Sequence, residues 1–277
     1  MYPTLIDLAL GEEMRLVINS YRFFGVLAAC YLAVAAFRHL RQADLSVRRS
    51  VIAIALAVIS FFAGSRLLFV VLYWAKIAEE PGILFRFHLS NFTPYGGLAL
   101  SLLAWWLITR SLSLPLFKLT DRLAPHLGIS IAIMRIGCFL NGCCFGKVTA
   151  TPPGINFPPF SPPHLAQITT ASRISFFFPA AVHPTQLYEL TAALSAALAA
   201  WIILSTRKRD GLAAAVFGLV FTTGRLITFY FREFPAATDL SNLIRGPVVY
   251  GIALVIFAAW IIHARREDNI QTMEEAK

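Results

Sequence analysis

Charge is what this chain has least of. Lysine, arginine, aspartate and glutamate make up 14% of its 277 residues, where a soluble domain carries roughly a quarter. The shortage is worst among the acids, 15 against 24 basic residues. An ordinary water-soluble domain is thereby excluded. Cysteine is scarce too. Only Cys30, Cys138, Cys143 and Cys144 are present, too few and too clustered for a disulfide scaffold. No internal repeat is evident, which argues against a solenoid. Met1 to Glu13 is mildly acidic and lacks a basic n-region, so no cleavable signal peptide is expected. The formal charge of +9 does not call for nucleic acid, because the basic residues flank apolar runs as they do at a cytoplasmic membrane face.

What the chain has is apolar length. Apolar residues account for 57% of it, and mean hydropathy is +0.67. An all-α integral membrane protein is predicted, one transmembrane domain over residues 1–277. About 20 apolar residues span a bilayer core. Seven spans are read: Tyr21–Phe37, Val51–Trp74, Tyr95–Ile108, Leu127–Leu140, Gln186–Leu204, Leu212–Phe231 and Pro247–Ile262. The third and fourth are read as short and glycine-interrupted. Arg38, Arg41, Arg48 and Arg49 follow span one; Arg110, Lys118 and Arg122 follow span three. Arg207, Lys208 and Arg209 follow span five; Arg265 and Arg266 follow span seven. Seven spans put all four basic segments on one side, so the N-terminus is expected outside and the C-terminus in the cytoplasm. The longest outside segment, residues 147–182, is read as a periplasmic loop or small head. Its three proline pairs oppose a helix, and Phe176-Phe177-Phe178 is a candidate for contact with the membrane interface.

Three arginines fall inside apolar segments: Arg66, Arg135 and Arg225. A charge at membrane depth is costly unless it faces a cavity, a partner or a ligand. Each lies beside a small residue (Ser65, Gly137 or Gly224) that opens room for a head group. Glu189 is the only acid well inside a span, so a positive pocket with incomplete compensation is expected. Arginine's fork suits phosphate, and the abundant phosphate of a membrane is a phospholipid head group. Arg232 lies near the end of span six, where it either joins the pocket or marks the interface. His183-Pro184-Thr185-Gln186-Leu187-Tyr188-Glu189 opens span five. Proline at a helix start is favourable, and His183 and Glu189 either orient the arginines or act as acid–base groups. Tyr95-Gly96-Gly97 opens span three, where glycines expose helix N-terminal amides to an anion.

These residues together resemble the prolipoprotein diacylglyceryl transferase family. The resemblance runs through Phe23-Phe24-Gly25, Gly64-Ser65-Arg66-Leu67, Tyr95-Gly96-Gly97-Leu98, Arg135 to Gly146, His183 to Glu189, and Gly224-Arg225 with Arg232. It implies a multi-pass protein of the bacterial inner membrane. The activity implied moves a diacylglyceryl group from phosphatidylglycerol to the lipobox cysteine thiol of a preprolipoprotein, with membrane lipid as donor, no nucleic acid partner and no cofactor. Arg135, Arg225, Tyr95 and His183 then take catalytic roles. Arg66, Gly96, Gly97, Asn141, Gly142, Gly146, Gln186, Tyr188, Glu189 and Arg232 bind substrate. The chain departs from the family's usual pattern, which has histidine at 95, asparagine at 138 and glutamate at 143 and 229. It also differs at Met134 (usually glycine) and Phe24 (usually tyrosine). The anion-handling half is kept and the acid–base half is altered. Tyr95 still donates a hydrogen bond, but with a pKa near ~10 it is a poor base. Two other readings follow from the departures: a non-catalytic phospholipid- or lipoprotein-binding paralogue, and a transferase with a different donor or acceptor. Cys138, Cys143 and Cys144 stand open between packing thiols, a local disulfide, and chemistry or metal. Cys-x4-Cys-Cys is not a usual zinc spacing, so no metal ligands are expected.

Overall fold

A computed structural model describes residues 4–9, 15–85, 92–170, 178–206, 209–233 and 246–275. A hairpin of β1 (Thr4–Ala9) and β2 (Arg15–Asn19), antiparallel with Asp7 opposite Val17, leads into helix α1 (Ser20–Gln42). Then come α2 (Val47–Leu72), the short α3 (Trp74–Glu79), a 3-10 turn (Pro81–Phe85) and α4 (Pro94–Ser111). The chain continues through α5 (Leu116–Asn141), α6 (Pro162–Thr170), α7 (Thr185–Thr206), α8 (Leu212–Phe231) and α9 (Pro247–Glu275).

Among the described residues, six helices are long and apolar enough to cross a membrane: α1, α2, α5, α7, α8 and residues Pro247–Ala264 of α9. The protein is an α-helical, multi-pass membrane protein. Val71 is 64%, Trp201 66% and Val255 70% exposed, as lipid-facing side chains would be. Seven spans were expected; the stretch read as the third forms helix α4 but is not one of these six, its first turn being Pro-Tyr-Gly-Gly and its end lying beside Arg110. The fourth span is longer than its apolar run suggested. Helix α5 starts at Leu116 and passes through Pro125. Its polar first half is used, since Asp121 accepts hydrogen bonds from the backbone amides of Gly211 (2.6 Å) and Ala214 (2.7 Å). A carboxylate there satisfies the otherwise orphaned amides at the start of α8 and suits the helix dipole.

The chain divides into two compact units, residues 1–32 with 120–277, and residues 33–119. In the first, α7 packs on α8 and α8 on α9. Buried Ala193, Ala196, Ala197 and Ala200 line α7, and Ala196 and Ala200 form a core with Ala124, Ala213 and Phe217. Small residues let membrane helices pack closely, where dispersion rather than water exclusion holds them. In the second unit α2 packs against α4. A Cβ on Gly96 would lie 2.3 Å from the carbonyl oxygen of Gly64, and one on Gly64 equally close to that of Gly96.

The segment 147–182 is ordered where described. Val182 pairs with Ile155 through two backbone hydrogen bonds of 3.0 Å, and Thr149 donates to Ala181 at 2.9 Å. The Pro152–Pro153 bond is cis. Contrary to the expectation that prolines exclude helix here, α6 forms. It begins with Pro162-Pro163, where missing amides cost nothing because the first turn has no partners for them. Gln167 fastens it by exchanging two hydrogen bonds with Ala180 (3.0 and 2.9 Å). Phe178 is 76% exposed; Phe176 and Phe177 lie outside the described residues, as do Arg207 and Lys208.

The close approach of α2 and α4 gives a test. Gly96→Ala overpacks a backbone contact and should cost about 1–3 kcal/mol, lowering the melting temperature in detergent. Gly25→Ala, whose Cβ would meet nothing within 4 Å, should leave it unchanged. Equal melting of the two variants would contradict this packing.

Candidate functional site

The site is built at the start of α7 and the ends of α5 and α8. His183-Pro184 leads into α7, whose first turns bury Thr185, Gln186 and Glu189. Glu189, 2% exposed, is the hub. Arg135 of α5 brings Nε to 2.6 Å from its Oε2. Arg225 of α8 donates from Nη1 to Oε1, and Arg232, just past α8, donates to the same oxygen at 3.0 Å. The three arginine side chains keep 13%, 17% and 21% of their surface. Among the described residues, three guanidinium groups share one carboxylate, and each keeps some accessible surface. A lone buried carboxylate would be costly, but one shared by several cations is compensated.

Small residues make the convergence possible. A Cβ on Gly224 would meet Ala192 Cβ at 2.3 Å, so the glycine lets α8 close on α7 beside Arg225. A Cβ on Gly137 would meet Phe24 Cβ at 2.5 Å, and α1 and α5 close next to Arg135. Tyr250 of α9 holds Arg225 from the other side. Its hydroxyl accepts from Nη2 at 2.9 Å, and its ring centre lies 5.7 Å from the guanidinium.

The loop after α5 closes over this hub. Gly142 (φ 74°) and Cys144 (φ 60°) both take the left-handed conformation, which turns the chain back at once. Two side chains of α7 pin it. Gln186 Nε2 donates to the Cys143 carbonyl and Thr185 Oγ1 to that of Cys144, both at 2.7 Å. Gly146 donates its amide to the His183 carbonyl at 2.9 Å, and Lys147 to that of Phe231 at 2.8 Å. Gly146 and Arg232 form a backbone bridge. A Cβ on Gly146 would lie 2.5 Å from the Phe231 carbonyl oxygen and 2.7 Å from His183 Cβ, so no larger residue fits between the two segments. Asn141 ends α5 beside this loop. The His183 ring packs 4.9 Å from Phe231, and its Nδ1 lies 3.0 Å from the Tyr188 hydroxyl.

Arg135, Arg225, Arg232 and Glu189 are therefore brought together, and Asn141, Gly142, Gly146, His183, Gln186 and Tyr188 form or pin the loop against them. An uncompensated pocket around Arg66, Arg135 and Arg225 was expected; instead Glu189 contacts Arg135, Arg225 and Arg232. Arg66, Tyr95, Gly96 and Gly97 belong to the other compact unit. There Arg66 Nη2 donates to the carbonyls of Ile83 (2.7 Å) and Leu84 (2.8 Å), with its guanidinium 5.5 Å from the rings of Phe69 and Phe92. Gly96 faces Gly64, and a Cβ on Gly97 would meet Ser65 Oγ at 2.2 Å, so helix packing accounts for both. Tyr95 is 39% exposed. Sequence reasoning missed Tyr250 and the loop-pinning use of Thr185. The signal for Tyr250 was a tyrosine at the start of an apolar span, whose hydroxyl needs a partner when buried.

The three clustered cysteines are free thiols, with sulfur atoms all within 4.8 Å of one another. Arg135 Nη1 lies 3.7 Å from Cys138 Sγ. Hydrogen bonds from the Cys138 and Cys143 thiols, and then the charges of Arg232 and Arg135, hold the Cys144 thiol far below its ordinary range. The Cys143 thiol is raised to about 11 in the same network.

Known proteins carry this arrangement further. A protein of Clostridium perfringens named phosphatidylglycerol–prolipoprotein diacylglyceryl transferase 2 is 26% identical, over 82% of this chain and 84% of its own length. A phosphatidylglycerol–prolipoprotein diacylglyceryl transferase of Clostridium tetani is also 26% identical, over 64% and 66%. One of Legionella pneumophila is 25% identical over 73% and 74%. Residues 13–264 match the family described as prolipoprotein diacylglyceryl transferase, and this chain belongs to that family.

Proposed function

We propose that the protein transfers a diacylglyceryl group from phosphatidylglycerol to the lipobox cysteine thiol of a prolipoprotein in the bacterial inner membrane. The observation that carries this reading is the convergence of Arg135, Arg225 and Arg232 on the one buried carboxylate of Glu189. The named activity of the relatives supports it.

In the transfer, the thiol sulfur forms a bond to the glyceryl carbon that carries the phosphate. The carbon–oxygen bond breaks, and glycerol phosphate leaves with the electron pair. The thiol proton goes to the base or to the departing phosphate. Negative charge grows on the leaving phosphate, and fixed guanidinium groups in a water-poor site stabilise that growth without reorganising. Glu189 keeps the three forks aimed and is too encumbered to serve as the base. His183, hydrogen-bonded to Tyr188, is the proposed proton acceptor within this unit. Tyr95 and Arg66 are proposed as further substrate-handling residues. The proposal puts the site at the outer leaflet, with the N-terminus outside and residues 147–182 in the periplasm. A two-tailed lipid then enters sideways.

One observation favours a binding protein without turnover. Phe229 stands where the family usually has glutamate, and its ring packs against Tyr250, with centroids 6.4 Å apart. No carboxylate is available at that position.

The test is rescue of a cell depleted of its own transferase, with lipoproteins read by mass spectrometry. Wild type should restore the diacylglyceryl adduct. Arg135→Ala should lose about 100- to 1,000-fold of the transfer rate, as removal of one charge-stabilising donor does. Arg135→Lys should also fall short, because a point charge does not replace the fork. Rescue by Arg135→Ala equal to wild type would refute the assigned site. A protein that binds phosphatidylglycerol and never modifies the peptide would favour the binding reading.

A further inference from the structure

The function proposed above makes no use of the three clustered thiols. Cys138 sits in the last turn of α5, Cys143 and Cys144 in the loop that follows. They converge because the loop folds back. Cys143 donates its amide to the Cys138 carbonyl at 3.2 Å, and Cys144 is held in the left-handed conformation. Both loop carbonyls are fixed from α7 by Gln186 and Thr185, which turns the positions of two sulfurs into a property of the fold. The third belongs to a cysteine only 1% exposed.

We infer that Cys138, Cys143 and Cys144 form a three-sulfur site for a soft monovalent metal ion of the Cu(I) type. Thiolates select Cu(I) and zinc over hard cations. A trigonal ion with metal–sulfur bonds of about 2.3 Å sits among sulfurs about 4 Å apart, and these lie within 4.8 Å of one another. Side-chain adjustment of less than an ångström closes the site. Zinc prefers four tetrahedral ligands, and among the described residues the cluster contains three cysteines and no further histidine, cysteine or acid. Charge points the same way. Three thiolates around a monovalent ion carry two negative charges, and the arginine cluster lies beside them. Arg135 touches both, through Glu189 and through Cys138. Binding releases the protons of whichever thiols are neutral and involves no change of oxidation state. The sequence spacing conceals this site, because only the left-handed turn at Cys144 brings the third sulfur round.

The inference goes beyond the transferase reading and is measured by binding, so either can fail alone. Full-length protein, reduced and in detergent, is titrated with Cu(I) against bicinchoninate. Wild type should withdraw one Cu(I) per chain, and X-ray absorption should show three sulfur neighbours. Cys143→Ser and Cys144→Ser should each weaken binding by at least the ~10–100-fold seen when even the outer shell of a metal site is disturbed. Cys30→Ser, at the exposed fourth cysteine, should change nothing. Melting temperatures of the serine variants identify those that fold, and a variant that melts as wild type yet loses Cu(I) supports the site. Failure of wild type to compete with bicinchoninate would overturn it. So would equal binding by wild type and Cys144→Ser, or displacement of Cu(I) by an equal concentration of Zn2+.

Discussion

A single carboxylate in an apolar helix organises the candidate site. Glu189 alone would be costly to bury, and Arg135, Arg225 and Arg232 at comparable depth would be costly without it. Joined, they are affordable only as a set. Three helices must therefore present the right side chains to one point. Gly224 and Gly137 serve that requirement by letting neighbouring backbones close beside Arg225 and Arg135. Gly146 serves it by letting the loop after α5 pair with the segment that carries Arg232. Tyr250 completes the fixation of Arg225 from α9.

The same economy leaves a reactive remainder. Full neutralisation would give a structural ion-pair knot with nothing to offer a ligand. One acid shared by three bases leaves fixed guanidinium groups that still keep part of their surface. That is the electrostatic condition for binding a lipid phosphate and for easing its departure. It is also the condition that favours thiolate over thiol, and Cys138, Cys143 and Cys144 lie beside it.

Much of this was legible in the sequence because membranes impose simple rules. Low charge and long apolar runs define the helices, and an arginine among leucines has few innocent explanations. Glu189 and two of its arginines stood out for that reason. Arg232 was ambiguous because a residue at a span's end serves equally well as an interface anchor. Arg66 was overread. Its depth looked like that of Arg135, but the carbonyls that satisfy it come from a 3-10 turn with no sequence signature. Gly96 and Gly97 read as an anion cradle, and the sequence does not show that they also pack against Gly64 and Ser65 of α2. The start of α5 was hidden by Asp121, whose polarity read as a loop until its partners at the start of α8 were known. Helix α6 was hidden by prolines that occupy the first turn, where they do no harm. The cysteine cluster depends on one left-handed residue, a detail that spacing does not carry.

The central claim is that Glu189 holds the three arginines as one unit. It is tested most directly by the thermal unfolding of Glu189→Gln against wild type in detergent supplemented with phosphatidylglycerol. The substitution keeps the shape and removes the charge, leaving three guanidinium groups to repel one another. A loss of about 3–5 kcal/mol is expected, as when one partner of a buried ion pair is removed. A variant as stable as wild type would contradict the account.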